Sequence, residues 1–179
     1  MRRFAPAPRG GKEEQVLVAV PRGATAWTLA RRSRGLHRLL VPAEASAETD
    51  GALRYIAARL ADRVASVHLV NVQRPLITGD VDPRVTAGKA LQFRQAVGER
   101  ILAEARRRVE PGTLRMTAEV AFGSPAEAIC AIAQPQRFSG IIIGRNGFAL
   151  SDLIGRSVIA KIIQLARVPV TIVNARTCA

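Results

Sequence analysis

Between Ile141 and Val173 the chain reads IIIGRNGFALSDLIGRSVIAKIIQLARVPVTIV, and few folds accept that order. The Ile run 141–143 has no polar alternation, which predicts a strand buried on both faces, as in a parallel sheet. Gly144, Gly147 and Gly155 bracket a loop, an amphipathic helix is predicted over 152–167, and Pro169 opens a second apolar strand over 168–173. Two parallel strands joined through a helix need a right-handed crossover. The loop also has a chemical meaning. Glycines let the backbone approach closely, and the free N–H groups of a helix start carry partial positive charge. A strand that runs through such a loop into a helix can therefore hold an anionic group.

The same alternation runs upstream. A first strand is predicted over 37–43 (HRLLVPA), with Pro42 at its exit. A helix over 48–65 shows one apolar face (Leu53, Ile56, Ala57, Leu60), with Ser46 or Thr49 as its cap. A second strand follows over 67–72, and after a loop through Pro75, Gly79 and Pro83 comes a long helix over 85–109. Leu91, Ala96 or Val97, Ile101, Leu102 and Ala105 should point inward from it, and Pro111-Gly112 stops it. The third strand is predicted over 114–122. Ser124 as N-cap, Pro125 at the first helical position and Glu127 closing a capping box then announce a helix over 126–133. Five strands separated by helices imply an α/β fold: a five-stranded parallel sheet, doubly wound, with helices on both faces. Such Rossmann-like sheets bind ligands at the carboxyl ends of the strands, where the strand order reverses.

Residues 1–35 stand outside this pattern as a basic, Pro/Gly/Arg-rich and partly flexible extension. Within it QVLVAV (15–20) reads as a short strand, so the extension either packs loosely, adds an edge strand, or serves as a docking arm for a partner. The net charge of +13 invites a nucleic-acid reading. The distribution argues against it: residues 1–38 hold nine Lys or Arg against two Glu, and 39–179 hold eighteen against twelve acids, mostly as single arginines. Aromatic residues are 4%, too few for base-stacking platforms. Cys130 and Cys178 lie far apart, and His37 and His68 have no metal-type spacing, which excludes a disulfide framework, a histidine zinc site and a histidine triad. No apolar run reaches membrane-spanning length and no signal-peptide h-region follows the basic start, so a cytoplasmic protein is expected.

The local signals together resemble the universal stress protein family over residues 36–175, leaving 176–179 as a tail. HRLLVPAEASAETDGALRYIA is similar to the family's opening strand and helix, with Pro42-Ala43-Glu44-Ala45-Ser46 where a Pro-Val-Asp-Gly-Ser type run is usual. FGSPAEAICAIA resembles its Gly-x-Pro-Ala-Glu-x-Ile turn. The stretch from Gly144 to Ser157 resembles the Gly-x2-Gly-x9-Gly-Ser phosphate loop of the adenine-nucleotide-binding members. The resemblance implies an ATP-binding site, with Mg²⁺, at Pro42, Ala43, Glu44, Val72, Gly144, Arg145, Gly147, Arg156, Ser157 and Val158.

Glu44 stands where the family's acid reaches the adenosine, and Val72 where main-chain groups line the adenine pocket. Arg156 stands in place of the third glycine, and eight residues rather than nine separate it from Gly147. An arginine there either crowds a phosphate or offers it a guanidinium fork. The glycines themselves are open to a plainer reading as tight turns. No general base or nucleophile emerges. The resemblance implies binding and regulation rather than catalysis, with at most slow ATP hydrolysis. The alternative is a regulatory or interaction module of the same fold that binds no nucleotide. The last strand, Val168 to Val173, is apolar and would be an aggregation hazard if left bare, so a homodimer through it is expected, with protein partners left open.

Overall fold

The structure is a computed structural model that describes residues 16–20, 37–74, 87–110, 112–134, 137–145 and 157–174. In chain order the elements are β1 (Val16–Ala19), β2 (His37–Pro42), α1 (Ala47–Arg59), a 3₁₀ turn (Ala61–Arg63), β3 (Val64–Gln73), α2 (Ala87–Arg107), β4 (Met116–Phe122), α3 (Pro125–Ile132), β5 (Gly140–Arg145), α4 (Val158–Leu165) and β6 (Val170–Asn174). They build one sheet of six strands in the order β1-β6-β5-β2-β3-β4. The predicted five are the parallel core, β2 to β6. The sixth is β1, from the extension, which runs antiparallel to β6. Thus the β6 edge expected to face a second copy is paired within the chain.

Both faces of the sheet are covered by helices, each with its own core. On one side α1 and α2 bury Leu53, Ile56, Leu102 and Ala105 against Leu39, Val41, Val67 and Leu69. On the other, α3 and α4 bury Ala126, Ile129 and Ile162 against Leu40, Val70, Ile141 and Ile143. The Ile run of β5 explains itself here: Ile142 serves the first core while Ile141 and Ile143 serve the second. Cys130 is half-buried between α3 and α4, with its Sγ 3.8 Å from the Ile162 carbonyl oxygen. Burial pushes its thiol up to about 11, so it acts as a small hydrophobe rather than a nucleophile.

Several boundaries differ from the sequence-based expectation, each for a physical reason. The first helix stops at Arg59, not at 65, because the backbone leaves helical geometry at Leu60 (φ −126°, ψ 0°) and the chain turns through the 3₁₀ segment. β3 therefore begins at Val64, which pairs with His37. α4 begins at Val158, not at 152, because Ser157 is extended and caps it. In α2, Leu102 and Ala105 are buried as expected, but Leu91 is 52% exposed. Gly98 of α2 packs against Val120 of β4. Ala90, one residue before Leu91, is the buried residue at the start of α2. The capping box at α3 does not close: Ser124 occupies the N-cap without a side-chain cap bond, and Glu127 Oε1 accepts instead from Lys161 Nζ of α4 at 2.7 Å. That ammonium group holds the Glu127 carboxyl below its ordinary range.

Candidate functional site

Chain order reverses between β2 and β5: β3 and β4 extend the sheet on one side, β6 on the other. At the carboxyl ends of these two strands lies a cleft of about 510 Å³. Volumes of this size suit a drug-sized or nucleotide-sized ligand. Its floor is apolar, made of Val70, Val72, Ile129, Ile143, Val158, Ile159 and Ile162, and Glu44, Ser46, Glu48, Thr49 and Arg145 bring polar groups to its lining.

The helix starts define the cleft's electrostatics. Ser46, Glu48 and Thr49 open α1, Pro125 opens α3 and Val158 opens α4, and all five line the same space. Three helix amino ends therefore converge on one cleft, and each brings the partial positive charge of its aligned peptide dipoles. Glu48 in the first turn of α1 and Glu44 in the preceding loop offset part of that field.

The β2–α1 loop is held at both ends. The Ala43 N–H donates to the Val70 carbonyl at 2.8 Å. The Ala43 carbonyl accepts from Asn71 Nδ2 at 2.8 Å, and Asn71 Oδ1 accepts from Gln73 Nε2 at 2.6 Å. The Glu44 N–H then donates to Thr49 Oγ1 at 2.9 Å. Thr49, expected as a cap of α1, thus ties the loop instead, and Ser46 takes the N-cap position without a side-chain bond. The result is a fixed backbone that places Glu44, itself exposed, on the rim.

Of the residues predicted for the site, Pro42, Ala43, Glu44, Val72, Gly144, Arg145 and Val158 line this one cleft. Gly147 and Arg156, together with Gly155, lie outside the described residues. Two predicted residues have structural work of their own. Gly144 passes so close to α1 that a Cβ there would sit 1.7 Å from the Glu48 carbonyl oxygen. Ser157 Oγ accepts from the Ala160 N–H at 3.1 Å and caps α4. Replacing Ser157 by alanine should therefore cost about 1 kcal/mol of stability, read from the urea midpoint, with or without any ligand. An unchanged midpoint would show that the cap contributes nothing.

Sequence reasoning missed the contributions of Ser46, Glu48, Thr49, Val70, Pro125, Ile129, Ile143, Ile159 and Ile162 to the cleft. Only the α3 start carried a usable signal, since Ser124-Pro125 fixes where that helix begins. His68 stands apart from the cleft's lining: its Nδ1 lies 2.7 Å from Thr117 Oγ1 and its Nε2 3.2 Å from Glu119 Oε1. Among the described residues no helix is long and apolar enough to cross a membrane, and no three His, Cys, Asp or Glu side chains group as metal ligands.

Comparison with known proteins follows the same outline. The family model described as the universal stress protein family matches residues 35–174. A solved structure of a universal stress protein family member from Burkholderia pseudomallei is 20% identical, with a TM-score of 0.57 over 76% of this chain and 94% of that one. A universal stress protein from Archaeoglobus fulgidus is 19% identical at a TM-score of 0.50, and the matched part spans 77% of this chain but only 44% of that longer one. A family protein from Arabidopsis thaliana, solved with AMP bound, is 16% identical at a TM-score of 0.50 over 77% of this chain and 90% of that one. At such identities these structures speak for the fold. No curated protein sequence matches this chain.

Proposed function

This chain belongs to the universal stress protein family, and from that premise we propose that its cleft binds an adenine nucleotide, with ATP as the fullest occupant. The observation that carries the reading is the convergence of three helix amino ends on a cleft with an apolar floor. An apolar floor accepts the flat face of a base, and helix amino ends accept phosphate oxygens. Arg145 at the end of β5 also lines the cleft, and a guanidinium is the side-chain group best shaped for phosphate. Glu44 and Glu48 would repel a bare triphosphate, but Mg²⁺ bound to phosphates takes one or two carboxylates, so the rim fits the magnesium complex. AMP in the Arabidopsis relative supports the same ligand class.

The proposed role is binding and regulation in a stress response, without dedicated catalysis. The one histidine within the described strands near polar partners, His68, is engaged with Thr117 and Glu119 and is absent from the cleft's lining. Calorimetric titration of the purified chain with MgATP, after removal of any co-purified nucleotide, tests the reading. A dissociation constant in the micromolar range is expected, and Arg145→Ala should weaken it about ten- to a hundredfold, as for loss of one charged hydrogen bond. Absence of heat up to millimolar MgATP from a folded sample would overturn it.

A second reading, an interaction module that binds no nucleotide, is favoured by one finding. Gly144 and Ser157, two residues of the loop motif, are both required by packing and capping alone.

A further inference from the structure

The family match begins at residue 35, yet the sheet begins at Val16. β1 lies outside the matched domain and pairs with β6 in register: Val16 with Val173, Leu17 with Ile172, Val18 with Thr171 and Ala19 with Val170. Without it, β6 would be an edge strand whose Val170, Ile172 and Val173 are all fully buried among core residues, with its hydrogen-bonding groups open on one side. Such an edge is a template for another strand. We propose that β1 is a built-in cover for this edge: in the full chain residues 16–19 hold it against a second copy, and two chains associate through β6 only when β1 leaves.

Two features of the page favour pairing within one chain. The first is reach. Ala19, Val170, Ile141 and Leu40 form one row across the sheet, so β1 lies three strand spacings, about 14 Å, from β2. Both Ala19 and the start of β2 lie towards the amino ends of the parallel strands, and residues 20–36 join them. About 17 residues of chain span at most ~55 Å, several times what is needed. The second is concentration. A tether of this length presents β1 to its own β6 at an effective concentration of order millimolar, about a thousandfold above a competing copy at micromolar protein.

The cover is also built to stop further growth. It is four residues long, and its side chains divide by face: Leu17 and Ala19 pack onto the core beside α3 and α4, while Val18 is 51% exposed on the other side. A short outer strand offers little to a further partner. Its hold rests mainly on Leu17, which is therefore the place to break it.

The test uses the full chain with Cys178→Ser to remove an interfering thiol. Val18→Cys with Thr171→Cys places two thiols at directly opposed positions, within reach of a disulfide. Oxidation should give a single-chain band on a non-reducing gel, and light scattering at 1–100 µM on the order of one chain mass, as for the parent. Leu17→Asp should free β1 and double the mass, and the oxidised Cys pair should restore the single-chain mass in that background. Should the aspartate disturb folding, seen by circular dichroism, Leu17→Gly makes the same comparison without a charge. A two-chain covalent band would mean that β1 is exchanged between copies. A two-chain mass for the parent, or a one-chain mass for the released variant at the highest concentration, would equally overturn the proposal.

Discussion

Replacing Gly144 by alanine should destabilise the fold by about 3 kcal/mol or more, at or above the top of the range for an overpacked core. The added Cβ would lie 1.7 Å from the Glu48 carbonyl oxygen and 2.5 Å from its carbon. Neither is a side-chain end that can rotate away. Either β5 or the first turn of α1 must shift, and both line the cleft. With total stabilities of about 5–15 kcal/mol, a loss of this size should lower the denaturant midpoint severely or prevent folding. Gly140→Ala is the comparison. Its Cβ would meet the Pro169 carbonyl oxygen at 3.1 Å, a contact that a shift of a few tenths of an ångström relieves. A Gly144→Ala chain with the parent's midpoint would show that α1 does not seat against β5 as described. Loss of nucleotide binding on changing Gly144 would then read as a collapsed site, not as a missing phosphate contact. Arg145, which also lines the cleft, is the better probe of binding.

Gly144 also shows where sequence reading reaches its limit. A glycine at a strand end looks the same whether a phosphate or a neighbouring helix needs the space, and only the approach of Glu48 separates the two. Local chemistry was legible: the Ile run of β5, the Ser124-Pro125 start of α3, and the alternation of strands and helices that fixed the parallel core. What escaped was set by long-range pairing. VLVA at 16–19 reads as a strand, but nothing in four apolar residues says which edge it joins or in which direction. Val64, placed in a helix by periodicity, becomes strand because His37 of β2 stands beside it. Leu91 falls on the inward stripe expected for α2, yet Ala90 beside it is the residue that is buried. The cleft was half visible. One helix start was read as an anion site from its glycine loop. The other two reach it only because the strand order reverses between β2 and β5.

Asn71 was not singled out in VHLVNV, and a second large effect is expected there: Asn71→Asp should cost about 3 kcal/mol at neutral pH, the low end of the range for a buried charge without a counter-ion, since Gln73 Nε2 still donates to it. The side chain is 4% exposed and is fitted against the bare face of Gly98, whose added Cβ would meet its Oδ1 at 3.0 Å. Its Nδ2 donates to the Ala43 carbonyl at 2.8 Å. Aspartate keeps the shape but replaces that donor with an oxygen, so acceptor faces acceptor at hydrogen-bond distance. Burial and the facing carbonyl must raise the new carboxyl's folded-state pKa above its unfolded value of about 3.9. The sign of the pH dependence follows. Above the raised pKa the penalty is fully present. It shrinks as pH falls through that value, because the protonated acid can again donate to Ala43, and it reaches its minimum below about pH 4, where both states are protonated. Asn71→Ala removes the same donor without a charge and should cost about 2 kcal/mol with no such pH dependence. Urea midpoints of parent and both variants between pH 4 and 8 separate these outcomes. A pH-independent loss for the aspartate would mean the side chain escapes to solvent, and the clasp on Ala43 would then be dispensable. Because Ala43 carries the chain into Glu44, the same clasp fixes the rim of the cleft, so the MgATP affinity proposed above should fall in both variants even where the fold survives.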